Sequence, residues 1–365
     1  MRTHKLLALA TVAALSLAAC GGGDDDAVEA PAPATDAPSA TEAPDTEAPA
    51  TGDDGVINLV GFAVPEAANV AIAKAWAETP EGADVTFESS YGASGDQSRA
   101  VVDGLPADYV HFSVTSDVTR LVDNGLVADT WDDGPNRGVV SSSIVVFGVR
   151  AGNPLGIDSW DDLVQDGAEI VSPNPASSGA ARWNALAAWG QVIENGGTED
   201  DANAFVADLF ANVVALPNSG RDATQAFLSG TGNVFLTYEN EAILARQNGE
   251  DFEYVVPDTT LLIENPGAVL IDANPRANAW LEFVLSAAGQ AEFAKKGFRP
   301  LDVAGPVEVG EVEGALDPST PFPEVAHLQT VADDFGSWSE LSEKFFDEES
   351  GIVTQIILAS GKAEG

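Results

Sequence analysis

From Val56 onward the chain alternates two hydrophobic rhythms. Short apolar runs predict strands at 57–60, 84–87, 109–112, 144–149, 169–171, 213–216, 234–237, 254–256 and 268–271. Between them, helical spacing predicts helices opening near Pro65, Asp96, Asp117, Ala180, Asp200, Ala223, Glu239, Pro275 and Ala288. Val70, Ala73 and Ala77 share one helical face, as do Trp183, Leu186, Ala187 and Gly190. Strand and helix in alternation indicate an α/β fold. No repeat of fixed period is present.

Four of the predicted strands end in small-residue turns that open helices. These are Leu59-Val60-Gly61-Phe62-Ala63-Val64-Pro65, then Ser89-Ser90-Tyr91-Gly92-Ala93-Ser94-Gly95-Asp96-Gln97, then 172–182, and Leu216-Pro217-Asn218-Ser219-Gly220-Arg221-Asp222. A helix start leaves N–H groups without partners and carries partial positive charge, and small residues let a ligand approach that backbone. Such turns suit anions. Gly and Ser also gather there simply to cap helices, so a single turn would decide nothing.

The first residues form a processing signal. Arg2, His4 and Lys5 precede an apolar stretch from Leu6 to Leu17, short for a bilayer span, and Leu17-Ala18-Ala19-Cys20 follows. That run resembles a bacterial lipobox, in which Cys20 becomes a lipidated N-terminus; the plain alternative is a secretory signal with an incidental cysteine. Cys20 is the sole cysteine, so no intrachain disulfide is available. Residues 21–55 carry ten acidic side chains, no basic ones and Val28 as the only large apolar residue, the composition of a disordered, extended tether.

The net charge of −42 excludes nucleic acid as a natural partner, because phosphates would be repelled. From residue 55 onward, 14 basic residues still face 48 acidic ones. A buried anion site remains compatible with this charge, since surface charges fade over about 8 Å at physiological ionic strength.

The second turn, Ser90-Tyr91-Gly92-Ala93-Ser94-Gly95-Asp96-Gln97, resembles the Ser-x-Gly-Gly-Ser-Gly-x-Gln element of periplasmic sulfate-binding proteins. The third, Ser172-Pro173-Asn174-Pro175-Ala176-Ser177-Ser178-Gly179-Ala180-Ala181-Arg182-Trp183-Asn184, continuing to Ala187-Ala188-Trp189-Gly190, resembles that family's longest signature. Arg150-Ala151-Gly152-Asn153-Pro154, Tyr238-Glu239-Asn240-Glu241-Ala242 and Phe298-Arg299-Pro300 are similar to shorter family blocks, so the likeness spans roughly 57–353.

The resemblance implies a two-lobed, type II periplasmic-binding-protein-like α/β fold. Residues 56–143 would form the first lobe with 257–365, which also holds the C-terminal helices, and 144–256 the second. Strands 144–149 and 254–256 are the expected hinge. Anion contacts are implied at Ala63 (backbone N–H), Ser94, Ser178 (hydroxyl), Gly179, Ala180 and Gly220 (backbone N–H). Tyr238 stands where the family usually has a donating tryptophan, and Ala63 where it usually has aspartate. The implied partners are sulfate, the membrane subunits of an ABC importer and, through Cys20, a lipid bilayer. The implied protein is a monomeric, extracytoplasmic lipoprotein without cofactor or metal.

Sulfate, fully deprotonated near neutral pH, needs donors only, whereas a protonated phosphate also needs an acceptor. An unmatched polar contact in a dry site costs about 1–3 kcal/mol. Asp96 and Asp222 lie near two turns, either as helix-dipole partners outside the pocket or as such an acceptor. Arg182 and Arg221 either compensate ligand charge or form ordinary ion pairs. Phosphate, thiosulfate and molybdate remain alternative ligands. A secreted hydrolase is the rival class, but His111 lies in an apolar strand and Gly92-Ala93-Ser94-Gly95 breaks the Gly-x-Ser-x-Gly spacing.

Overall fold

The structure, a computed structural model, describes residues 55–301, 303 and 305–362. The expected signal segment 1–20, with Cys20, and the expected tether up to residue 54 lie outside the described residues.

β1 (Val56–Phe62), α1 (Glu66–Trp76), β2 (Thr86–Gly92), α2 (Ser94–Val102), β3 (Tyr109–His111) and α3 (Thr115–Asp123) form a first group. The long strand β4 (Val139–Arg150) leads to a second. It comprises β5 (Ile170–Val171), α4 (Gly179–Glu194), α5 (Glu199–Ala211), β6 (Val213–Ala215), α6 (Gly220–Leu228), β7 (Val234–Tyr238), α7 (Glu239–Gln247) and β8 (Phe252–Val255). The long strand β9 (Thr259–Val269) returns to α8 (Arg276–Val284) and α9 (Ala287–Lys295). β10 (His327–Gln329), α10 (Trp338–Phe346) and α11 (Ile352–Ala359) follow.

The strand order is β2-β1-β3-β9-β4-β7-β5-β6, with β10 on β9 and β8 on β4. β1 runs parallel to β2 and β3, and β5 parallel to β6 and β7. The groups join where β4 and β9 pair antiparallel, from Val139↔Pro266 to Ile144↔Leu262. Beyond that stretch β4 continues beside β7 and β8, and β9 beside β3. Strand 144–149 is thus the far half of β4. The returning strand is β9 rather than 254–256, which holds the end of β8, and β8 pairs with β4 alone.

The near half of β4 reads as polar because it carries Ser141, Ser142 and Ser143, all buried. Their hydroxyls are satisfied by His111 Nε2 (3.0 Å), the Arg299 carbonyl (2.8 Å) and the Asn240 N–H (3.3 Å) respectively. Buried serines are tolerated when so paired. β9 carries Asn265-Pro266-Gly267 within it, letters that normally spell a turn. Here Asn265 Nδ2 donates to the Ser113 carbonyl at 2.9 Å, and Gly267 admits the Tyr109 hydroxyl to 2.4 Å of where a Cβ would stand.

Trp76, Trp183, Trp189 and Trp280 are all buried, as their helical spacing implies. Trp280 packs with Trp76, Phe87 and Tyr109 at ring distances of 5.5, 4.7 and 6.1 Å. Trp183 meets Trp338 of α10 edge-on at 4.7 Å, and Trp189 meets Phe345 at 5.2 Å. α10 and α11 therefore brace α4 and α5 of the second group, while α10 also touches α3 of the first.

Candidate anion site

In parallel strand–helix units each helix begins at the carboxyl end of its strand, where ligands of open α/β sheets gather. β2 feeds α2, β5 feeds α4 and β6 feeds α6. Three helix starts from the two groups meet there. Ala63, Ser94, Ser178, Gly179, Ala180 and Gly220 all line one small cavity, together with Val64 and Ser219. Its free volume is small, about 10 Å³, on the scale of a single water. No charged side chain lines it.

The donors differ in availability. Ser94, Gly179, Ala180 and Gly220 occupy first turns, where an N–H has no intrahelical acceptor, and among the described residues none finds another. The Ser178 hydroxyl makes no cap bond to its own helix. Ser219, by contrast, caps α6 at the Asp222 N–H (3.1 Å) and donates to the Asp222 carboxylate (2.8 Å).

Three residues stand differently from the sequence expectation. The Ala63 N–H donates to the Gly92 carbonyl at 2.9 Å, prolonging the β1–β2 ladder, so Ala63 lines the cavity without an open donor. The adjoining Val64 N–H, which sequence reasoning missed, has no acceptor among the described residues. Ser94 donates its hydroxyl to Asp117 Oδ2 at 2.6 Å and accepts the Ser113 N–H at 2.9 Å, leaving only its N–H for a guest. Tyr238 is buried one layer behind the wall, its hydroxyl 2.7 Å from Ser113 Oγ. Burial pushes its phenol well above the usual value, so it stays protonated. That layer crowds Gly179, since a Cβ there would lie 2.4 Å from Ser113 Oγ.

Asp96 and Asp222 both stay outside the cavity. Asp96 pairs with Arg99 and accepts Asn218 Nδ2 at 2.8 Å, tying α2 to the turn before α6. Two further bonds cross between the groups: the Gly95 N–H to the Ser177 carbonyl (3.0 Å) and Arg221 Nη2 to the Val64 carbonyl (3.2 Å). Arg221 also grips Glu241 with two bonds, 2.8 and 3.0 Å long. Arg182 donates to the Pro175 carbonyl at 3.1 Å. The tie at Asp96–Asn218 was invisible in sequence because its partners are 122 residues apart.

His111 is fully buried between Asn69 Oδ1 (3.2 Å) and Ser141 Oγ (3.0 Å). Burial lowers its pKa to about 3, so the ring is neutral and structural.

A family model described as bacterial extracellular solute-binding protein matches residues 57–299. The chain belongs to that family. This solute-binding protein is 37% identical to the sulfate-binding protein of Synechococcus elongatus, an alignment covering 93% of its own length and 92% of that protein's. It is 36% identical to the thiosulfate-binding protein of Pseudomonas aeruginosa, covering 79% and 86%. Among solved structures, the sulfate-binding protein SubI from Mycobacterium tuberculosis superposes with a TM-score of 0.74 at 41% identity, covering 80% of this chain and 99% of that one. The fold is therefore that of two-lobed periplasmic binding proteins, and the family works outside the cytoplasm by binding solutes. Among the described residues no helix is long and apolar enough to cross a membrane.

Proposed function

We propose that this solute-binding protein captures sulfate and delivers it to the membrane subunits of an ABC importer, while held at the membrane by a lipid on Cys20. One observation carries the ligand assignment: the cavity where α2, α4 and α6 begin is lined by open N–H groups and one unpartnered hydroxyl, with no carboxylate among them. A dianion that offers only acceptors fits such a wall. A protonated phosphate would face its own O–H without an acceptor, a mismatch of about 1–3 kcal/mol. The similarity to proteins named for sulfate supports the same choice. The binding set is Ser94, Gly179, Ala180 and Gly220 through N–H groups and Ser178 through its hydroxyl, with Val64 added and Ala63 as wall. Tyr238 holds Ser113 in place behind Gly179.

Thiosulfate is the second reading, favoured by the likeness to a thiosulfate-binding relative. Thermal unfolding of the purified protein with sulfate, thiosulfate, phosphate and molybdate separates these. At 100 times its dissociation constant a true ligand stabilises the fold by about 2.7 kcal/mol. Sulfate is expected to do so and phosphate is not; stabilisation by none of the four would remove the proposal. Metabolic labelling with a fatty acid tests the anchor, with Cys20→Ser expected to abolish incorporation.

A further inference from the structure

A second, larger cavity opens beside the start of α4, between α2, α3 and the two C-terminal helices. Its volume, about 550 Å³, falls among cavities that hold small organic molecules, roughly 300–1,000 Å³. It shares no lining residue with the anion site. In a chain of net charge −42, three of the 16 basic residues meet in it: Arg99, Arg120 and Arg182.

Arg182 is the anomaly. It sits in the first turn of α4, the helix end where a cation is disfavoured, and that turn holds no acid. Its bonds go to the Pro175 carbonyl and weakly to Ser116 Oγ (3.4 Å), both neutral. Among the described residues it has no carboxylate partner within ion-pair distance. Arg99 and Arg120 each hold an acid of their own helix, Asp96 and Asp117. Burial pulls the pKa of Arg182 below the ordinary arginine value, and Arg120 and Arg99 add to that pull against the opposing charge of Asp117. Phe346, Ile357 and Leu358 give the cavity an apolar stretch of wall. Leu358 is 52% exposed, an apolar side chain with nothing over it among the described residues. The carboxylates of Glu343, Asp347 and Glu348 also line the cavity; they are exposed, and they would repel a second negative charge on a guest.

We propose that this cavity binds a monoanionic organic amphiphile, its single sulfonate or carboxylate head on Arg182, Arg99 and Arg120 and its uncharged body against Phe346, Ile357 and Leu358. The guanidinium fork matches either head group. This site is separate from the sulfate site and stands whether or not sulfate is the small ligand.

Calorimetric titration of naphthalene-1-sulfonate into the purified protein, with and without saturating sulfate, tests it. One probe per chain is expected to bind in both conditions, and uncharged naphthalene-1-sulfonamide is not. Arg182→Gln should weaken the probe about tenfold or more, the cost of a lost charged hydrogen bond. Arg99→Gln, at a half-exposed side chain that leaves folding intact, should weaken it measurably and serves if Arg182→Gln misfolds. Absence of probe binding, displacement of the probe by sulfate, equal binding of the sulfonamide, or unchanged affinity in the folded variants would each overturn the assignment.

Discussion

Three serines stand at the helix starts around the small cavity, and their hydroxyls do three different things. Ser219 caps α6, Ser94 ties down Asp117, and Ser178 alone is left without a partner. Only the last is a side-chain donor for the proposed anion. Ser178→Ala should therefore weaken sulfate about tenfold, through a lost charge-assisted bond, and leave the melting temperature of the empty protein unchanged; calorimetry of both reads it. Sequence alone placed all three serines near the turns but could not say which hydroxyl was already committed. The same holds for Ala63, whose position was legible while the carbonyl claiming its N–H was not. His111 adds a pH effect. Its folded pKa, about 3, lies below the unfolded value of about 6.5, so the unfolded chain binds the extra proton between them. Stability from this group is complete above pH 6.5 and falls by up to about 1.4 kcal/mol per unit as the solution is acidified towards pH 3. His111→Gln should flatten the fall in melting temperature between pH 6.5 and 4, and an unchanged slope would assign the acid sensitivity to other groups.

At the scale of elements, the site is a meeting of helix starts, and their closeness depends on residues without side chains. A Cβ on Gly220 would lie 3.2 Å from both Ala180 and Val64 side chains. Gly220→Ala should thus crowd an already small cavity, lowering sulfate affinity while the fold persists, as a titration paired with a thermal melt would show. The Asp96–Asn218 bond lies outside the cavity but joins two of the converging helix starts. Asn218→Ala is expected to raise the dissociation rate severalfold, about the effect of one modest hydrogen bond, and to leave association nearly unchanged. Stopped-flow measurement separates the two rates. The starts of α1 to α9 were legible to within a few residues because helical spacing repeats there, whereas α10 and α11 were expected only as C-terminal helices without positions. The stretches of β4 and β9 that pair with each other were not legible, because that crossing pair uses serines, Asn265 and Pro266, whose burial is balanced by partners far away in sequence.

For the molecule as a whole, the excess of acid is the dominant fact, and it opposes the arrival of a dianion. Salt screens that repulsion, so sulfate association should quicken as sodium chloride rises from low to physiological concentration. Association that slows instead would reveal a positive steering field at the mouth. In the proposed site the ion would touch neutral groups, which long-range charge barely affects.

Three of the bonds that cross between the two groups, from Gly95, Asn218 and Arg221, spring from the same turns that supply the donors. Prising those turns apart would dismantle the proposed coordination shell in a single movement, since no long, pliant side chain lines the cavity to follow the departing ion. Cargo would leave all at once rather than ligand by ligand, and the transporter need only apply leverage to rigid helices to empty the vessel.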